Sequence, residues 1–421
     1  MPHIAVLGAG ITGVTTAFKL MERGFMVTII DRQAYAAMET SYANGGQLSA
    51  SNAEVWNSIA TMRKGMKWIF KKDAPLSMNL SPSWHKYSWL AEFVAAIPNH
   101  DKNTIETTKM AILARKHLLD MANEVGFDFN VEHRGIMHIY NDAQELEAGR
   151  HGSKLLAKGG LERVEMSPDE LRKLEPTLPK GVIGGFFTKS DFTGDIHKYT
   201  NGLAKEIRRR GGKLQMGTRI RRVKANDTDV RIDVDYEGVR DTLRFDGAVV
   251  CAGVGSRDMA AQFGDRVNIY PVKGYSITVQ MADEASQNGA PWVSLLDDKA
   301  KIVTSRLGKS RFRIAGTAEF NGYNYDIRED RVAPLSKWCR TNFPEIDARD
   351  VIKWAGLRPM MPNMMPKVGQ GHSPRVFYNT GHGHLGWTLS AATAEMTAAQ
   401  IDTNFAGTQR RFFNITPVAA E

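Results

Sequence analysis

The chain has 421 residues, with 55 Lys and Arg against 46 Asp and Glu for a net charge of +9, and only two cysteines. Apolar residues make up 42% and charged residues 24%, which excludes wholesale disorder and fibrous repeats, and the length predicts two or three domains. Cys251 and Cys339 are too few for a disulfide framework or a cysteine-rich metal centre, so a reducing, cytoplasmic setting and no metal are expected. No run reaches the ~18 apolar residues of a spanning helix, and the first residues lack the charged and apolar regions of a signal peptide. The positive balance leaves nucleic acid, an anionic membrane face or an anionic ligand open as partners.

His3–Leu7 is an apolar run suited to a buried parallel strand, and it enters Gly8-Ala9-Gly10-Ile11-Thr12-Gly13 without a linker. Val14, Ala17, Phe18 and Met21 then recur at helical spacing, Lys19, Glu22 and Arg23 take the other face, and Gly24 supplies a stop. A second apolar strand, Met26–Ile30, leads to Asp31, 18 positions beyond Gly13. The whole reads as a βαβ dinucleotide-binding unit. Gly8 permits the tight turn, Gly10 lets the backbone approach a pyrophosphate, and Gly13 lets helix and strand meet closely. The helix N-terminus offers N–H groups to phosphates, and Asp31 suits a ribose hydroxyl. An acid at this position favours NAD or FAD over a 2′-phosphorylated cofactor, although Arg32 stands beside it.

Residues 32–47 are small, polar and glycine-containing, a loop able to approach a ligand closely. In 56–98 the basic, aromatic stretch at 62–72 reads either as a helix packed on its own domain with solvated lysines, or as a face for an anionic membrane. A helix is predicted over 104–125 and a strand over 135–140. A second block from Asp195 reads as a helix over 197–210, strands over 213–216 and 219–223, the alternating runs VRIDV and LRF, and a buried strand closing on Ala252-Gly253. Arg208, Arg209, Arg210, Arg219, Arg221, Arg222 and Lys224 lack the interleaved aromatics of a nucleic-acid surface and read as a solvated face. Strands over 275–279, 301–304 and 311–315, followed by a helix reaching Cys339, predict a separate, largely antiparallel sheet. The last block holds GLRPMMPNMMPKVG at 356–369, a strand over 375–378, and a glycine-rich loop at 379–388 feeding a helix over 389–401. No Ser-His-Asp or metal-ligand grouping stands out.

The segments GAGITG at 8–13, ETSYANGGQLS at 39–49, KWIFKKDAPL at 67–76, PVKGYS at 271–276, WAGLRPMMP at 354–362 and NTGHGHLGWTLS at 379–390 carry a resemblance that covers nearly the whole chain. The sequence resembles the FAD-dependent amine and amino-acid dehydrogenases of the D-amino-acid oxidase superfamily, and within it is most similar to the bacterial D-amino-acid dehydrogenase small-subunit type. The resemblance implies an α/β fold with an α+β cap. A Rossmann-like, two-dinucleotide-binding-type FAD domain would be assembled from 1–95, 183–262 and 353–421. A mixed, largely antiparallel substrate domain would come from 96–182 and 263–352.

Carried onto this chain, the resemblance places Gly8, Gly10, Thr12 and Gly13 on the pyrophosphate and Asp31 and Arg32 at the adenosine half. Ser41, Gly46 and Gln47 run toward the isoalloxazine, Val223 meets adenine through its backbone, and Ala252 and Gly253 cover the cofactor. Gly383, Gly386, Trp387 and Thr388 bring the last helix to the flavin's pyrimidine end, where a helix N-terminus stabilises the negative charge of reduced flavin. Arg358 is implied as the substrate carboxylate clamp, with Tyr275 and His384 as further catalytic candidates and Glu319 read as solvated. Because neither cysteine lies in the GLRPMMP or NTGHGHLGW segments, noncovalent FAD is expected.

The implied activity is oxidation of D-amino acids through an imino acid to the 2-oxo acid, with electrons passing to a quinone or another acceptor. N-methyl or cyclic, proline-type amino acids are the alternative substrates, with Met360, Met361, Met364 and Met365 as an adaptable wall or as core. A basic, tRNA-binding flavoprotein is the rival from another class, disfavoured by the scattered basic residues. The expected location is cytoplasmic, with peripheral contact at the cytoplasmic face of the inner membrane left open.

Overall fold

The computed structural model describes residues 1–68 and 74–413, of which 407–413 as backbone only. Residues 69–72 of the basic aromatic stretch, and 69–73 of the KWIFKKDAPL segment, lie outside the described residues.

The runs HIAVL, MVTII and GAVV are almost wholly buried, as strands covered on both faces must be. They sit in a six-stranded sheet ordered Lys367–Gln370, Val376–Thr380, Gly247–Val250, His3–Leu7, Met26–Ile30, Lys213–Gln215. Every neighbouring pair is parallel except the first. Alternation along His3–Leu7 divides two cores. Ile4 and Val6 meet helices Ile11–Glu22, His100–Val125, Ile196–Arg209 and Gly386–Phe413 through Phe18, Leu118, Tyr199 and Ala391. Ala5 and Leu7 meet a three-stranded antiparallel sheet, Thr218–Ala225, Val230–Tyr236 and Val239–Phe245, through Val223, Val230 and Ile232.

The second sheet has nine strands, mostly antiparallel, with Tyr270–Gln280 between Val351–Met360 and Arg311–Phe320. Helix Glu329–Asn342 closes its outer face by burying Val332, Leu335 and Cys339 against Ile277, Phe312 and Ile314. Its inner face is stitched to the loop after Asp31, where Ser276 Oγ donates to the Ala43 carbonyl (2.7 Å) and Ser305 Oγ to the Gly45 carbonyl (2.6 Å). Strands Gly184–Thr188 and Val351–Met360, from segments expected in the cofactor unit, belong to this second sheet. Helix His100–Val125, expected in the cap, packs on the parallel-sheet unit.

Several boundaries moved. The final helix begins at Gly386 rather than 389 and reaches Phe413. Helix Ala143–Lys158, absent from the sequence reading, buries only Leu146, Leu155 and Leu156, so its apolar periodicity is faint, and it depends on Asp142 accepting from the Gln144 and Glu145 N–H groups. No described helix is long and apolar enough to cross a membrane.

A Cβ at Gly13 would lie 1.9 Å from the Gly8 carbonyl oxygen, and one at Gly8 (φ +113°) 2.5 Å from that of Cys251. At Gly10 a Cβ would meet only Ser41 Oγ, at 3.4 Å. Gly13→Ala is therefore expected to lower unfolding stability by about 2 kcal/mol or more while Gly10→Ala leaves it nearly unchanged, as read from urea midpoints.

Candidate cofactor and substrate site

A cavity of about 1180 Å³ runs between the two sheets, from the glycine turn and Asp31 past the 40–47 loop to Gly274, Arg358 and the start of the last helix. At the first end Gly10 is the N-cap of helix Ile11–Glu22 and supplies no side-chain cap. The Ile11 N–H donates to Ser41 Oγ (3.0 Å), so the loop after the second strand partly dresses this helix end. Asp31 accepts from the backbone N–H groups of Ala9 (2.7 Å) and Gln33 (2.8 Å). Burial raises its carboxyl pKa, and those two donors pull it back. The acid thus braces the glycine turn as well as lining the cavity.

Gly8, Gly10, Thr12, Asp31, Arg32, Ser41, Gly46, Gln47, Ala252 and Gly253 all reach the cavity wall. Arg32 pairs with Glu39 through Nε (2.9 Å), and Gln47 donates to Ser294 Oγ (2.7 Å), tying the loop to the second sheet. Gly13 is not on the wall; its place is the contact with Gly8. Val223 is not brought to the wall either. Its N–H donates to Gln262 Oε1 (2.9 Å), its side chain is core, and Thr218, Arg219 and Ile220 of the same strand line the cavity instead. Cys251 borders the glycine turn, where burial pushes its thiol up to about 12.

At the other end the turn Gly383–Leu385 passes into helix Gly386–Phe413, so Gly383, Gly386, Trp387 and Thr388 border the cavity together. The Trp387 ring packs on Tyr199 (5.0 Å), and its indole N–H finds no partner among the described residues.

Arg358 lies across Gly274 so closely that a Cβ there would come within 2.3 Å of the guanidinium carbon. Nη1 donates to the Thr317 carbonyl (3.0 Å), and no carboxylate is paired with the group among the described residues. What surface it exposes faces the cavity, and burial pushes its pKa down only to about 10, so it remains cationic at neutral pH. A desolvated cation without a counter-ion is a seat for an anion. His384 stacks on Trp56 (4.7 Å, 25°), and its ring nitrogens make no hydrogen bond of normal geometry. Burial and then the charge of Arg358 push its pKa down to about 3, against a small opposing pull from the Asn52 backbone. The imidazole is neutral.

One expectation changes here. Gly274 and Tyr275 both border the cavity. The Tyr275 hydroxyl donates to Glu319, which also meets Lys273 (3.3 Å) and Arg328 (3.0 Å). Glu319 is thus buried rather than solvated. Of the two readings of the late methionines, core holds for Met360 and Met364, beside Trp89, while Met62, Met66 and Met78 border the cavity. Trp56, Ser51, His138 and Asp298 were not singled out from sequence as site residues, since they share no motif and meet only through folding, and Ser49 closes the ETSYANGGQLS segment without having been singled out. Among the described residues no group of side chains is disposed to hold a metal ion.

Backbone-lined pockets at two helix N-termini, joined by one cavity under a second sheet, are the build of a two-domain dinucleotide-binding oxidoreductase. Residues 3–400 match the family described as FAD dependent oxidoreductase, and the chain belongs to that family; its cofactor is FAD. The chain is 56% identical over 404 residues, 96% of its length and 98% of the relative's, to a protein named D-amino acid dehydrogenase 3 from Mesorhizobium japonicum. It is 37% identical over 407 residues, 95% of its length and 96% of the relative's, to a D-amino acid dehydrogenase of Dechloromonas aromatica. Glycine oxidase from Geobacillus kaustophilus shares the fold, with a TM-score of 0.74 over 96% of this chain and 95% of that one, at 17% identity. The residues present fit FAD: the glycine turn leaves a cradle that a Cβ at Gly10 would enter, and the uncapped helix end supplies donors for a pyrophosphate.

His382, like His384, is held by burial near 3, below the ordinary 6.5. Below pH 6.5 the unfolded chain takes up protons that the folded chain refuses, so this contribution is complete above pH 6.5 and declines as pH falls toward 3. For His382 the slope is about 1.4 kcal/mol per pH unit. Urea midpoints at pH 7 and pH 5 are expected to fall more in the wild type than in His382→Asn, by about 2 kcal/mol.

Proposed function

We propose that this chain oxidises D-amino acids to imino acids, which water converts to 2-oxo acids and ammonium. The observation that carries the reading is Arg358, a cation without a carboxylate partner, laid over a glycine at the cavity wall. Its planar fork matches a substrate carboxylate and fixes the orientation of Cα. The neutral His384 and Trp56 beside it add no charge to repel a substrate ammonium. Bound FAD supplies hydride acceptance. Gly8, Gly10, Thr12, Ser41, Gly46, Gln47, Ala252 and Gly253 would hold it together with the last helix's first turn, and noncovalently, since Cys251 is nearly inaccessible and Cys339 lies in the outer core. We assign the parallel-sheet unit with helix His100–Val125 to the cofactor and the nine-stranded sheet to the substrate. The relatives named D-amino acid dehydrogenase support this reading.

The acceptor side of the reading is a quinone reached at an anionic membrane surface in the cytoplasm. Helix Trp84–Ala95 turns Trp89 and Phe93 to the cavity and leaves Trp84 83% exposed, with Tyr87 and Leu80 also exposed. Arg63 and Lys67 are exposed on helix Ile59–Trp68, which also borders the cavity. Aromatic and basic groups of this kind suit an interface.

Anaerobic mixing of the purified flavoprotein with D-alanine, D-proline, sarcosine and L-alanine tests the activity: the flavin's visible band is expected to bleach with the D-amino acids. Bleaching with sarcosine alone would shift the assignment to N-methyl substrates, and bleaching with none would overturn the reading. Arg358→Met is expected to raise KM roughly hundredfold, about 3 kcal/mol, with partial recovery in Arg358→Lys. Trp84→Glu is expected to reduce sedimentation with anionic lipid vesicles without changing bleaching by D-alanine.

A further inference from the structure

The same cavity contains a charged compartment bordered by His138, Tyr140, Arg163, Asp298 and Lys301. From it a chain of polar side chains runs inward. His138 Nδ1 meets Asp298 Oδ2 (3.1 Å), and its Nε2 meets Ser51 Oγ (3.0 Å). Ser51 Oγ meets Ser49 Oγ (3.0 Å), and the Ser49 N–H donates to Thr388 Oγ1 (3.4 Å) at the start of the last helix.

An Asp-His-Ser grouping of this shape could serve a nucleophilic serine, but the surroundings exclude that. The backbone N–H groups of Ala50 and Ser51, which would have to stabilise an oxyanion, both donate to the Asp191 carboxylate (3.0 Å each), itself held by Arg115. A carboxylate against the nucleophile's own amide leaves no place for developing negative charge.

The polarity of the chain is settled by its outer end. Against burial, the charge of Lys301 and the His138 hydrogen bond hold the Asp298 carboxyl far below the carboxylate range, so Asp298 only accepts. The neutral imidazole therefore carries its proton on Nδ1, and Nε2 accepts from the Ser51 hydroxyl, which in turn accepts from Ser49. Both hydroxyl links point a proton outward, toward His138. Burial and then Arg163 lower the His138 pKa, while Asp298 and Asp191 raise it; Tyr140 on its own strand, Lys301 beyond Asp298, Glu145 and Glu54 acting on Lys301, and Arg115 paired with Asp191 are further charged and titratable groups around it. The inner end opens on the site, because Ser49 and Ser51 line the same cavity as Trp56, His384 and Arg358, and the Ser49 N–H meets Thr388 at the start of the last helix.

We propose that Ser49, Ser51, His138 and Asp298 form a proton relay that removes the proton a substrate ammonium must lose when its Cα–H is oxidised. The proposal rests on the amino-acid oxidation argued above. The Cα–H bond breaks with its electron pair leaving as hydride, the nitrogen lone pair closes the C=N bond, and one N–H proton passes through the two hydroxyls to Nε2. Imidazolium beside Asp298 is the product of the relay, and its Nδ1 proton leaves by way of the Asp298 carboxylate to solvent water at the rim, where Lys301 is half-exposed.

The test compares wild-type holoenzyme with His138→Gln and Ser51→Ala, both confirmed to retain FAD, in anaerobic reduction by D-alanine across neutral to alkaline pH. At neutral pH both variants are expected to slow roughly hundredfold, and their rates to climb with pH in step with deprotonation of the free substrate ammonium. Added imidazole is expected to restore part of the His138→Gln rate. Unchanged pH profiles in both variants would overturn the relay, as would slowing confined to reoxidation by a quinone analogue. Independently of turnover, ¹⁵N NMR of the wild-type holoprotein is expected to show His138 protonated at Nδ1; protonation at Nε2 would overturn the relay's direction. If wild-type flavin is reduced by no amino acid, the functional reading fails, a result distinct from reduction that is indifferent to His138.

Discussion

At Gly8 the chain turns with a positive φ, close enough to Cys251 that no side chain fits between them, and Gly13 faces the Gly8 carbonyl from the first turn of the next helix. Backbone is packed on backbone. Because nothing intervenes, helix Ile11–Glu22 starts directly over the ends of strands His3–Leu7 and Gly247–Val250, and its N-terminus is left open to the cavity. One turn further, Thr16 accepts from Asn379 (2.8 Å), which brings in the strand that precedes the last helix. Three segments separated by more than a hundred residues are registered against one glycine turn, and the second helix N-terminus is placed by the same contact that places the first.

The two sheets contribute different chemistry. The parallel unit offers main-chain donors at helix ends, held where side chains are excluded. The nine-stranded sheet and its turns offer charged side chains, Arg358 cationic without a carboxylate and Asp298 ionised beside Lys301, while His384, from the turn before the last helix, stays neutral beside Arg358. Gly274 leaves room for the Arg358 guanidinium, and next to it Tyr275, Lys273 and Glu319 close a buried polar network. Removing the Tyr275 hydroxyl would strip one partner from a buried carboxylate.

This division explains what could be read before folding. Main-chain chemistry needs local patterns, so the G-x-G-x-x-G turn, the strand-helix-strand periodicity and Asp31 were legible within the first thirty-one residues, as was the glycine loop feeding the last helix. Arg358 was accessible only through resemblance, since an arginine between Leu357 and Pro359 carries no periodic signal of its own. The strand that carries Val223 is as expected, and the residues of it that line the cavity are Thr218, Arg219 and Ile220. His138 and Asp298 come from strand Ile136–Tyr140 and the turn after Ser294–Asp297, whose parallel pairing no local pattern announces. Ser51 joins them only because Asp191 pins the backbone of Ala50 and Ser51.

The net positive charge also takes a different meaning once geometry is known. Arg209 and Arg210 are bound to Glu206, and Arg221 to Asp235, so much of the basic run at 208–224 is neutralised at the surface by its own neighbours. Screening in salt weakens what remains there, whereas a charge inside a cavity between two sheets is screened far less. Arg358 therefore counts for more in drawing and orienting an anion than the whole surface excess. The Thr317 carbonyl takes one of its N–H groups and relieves part of the cost of its desolvation, which a substrate carboxylate would offset further. The site is built to be completed by its ligand, and the relay facing the same cavity gives that ligand's surplus proton a path that does not cross the clamp.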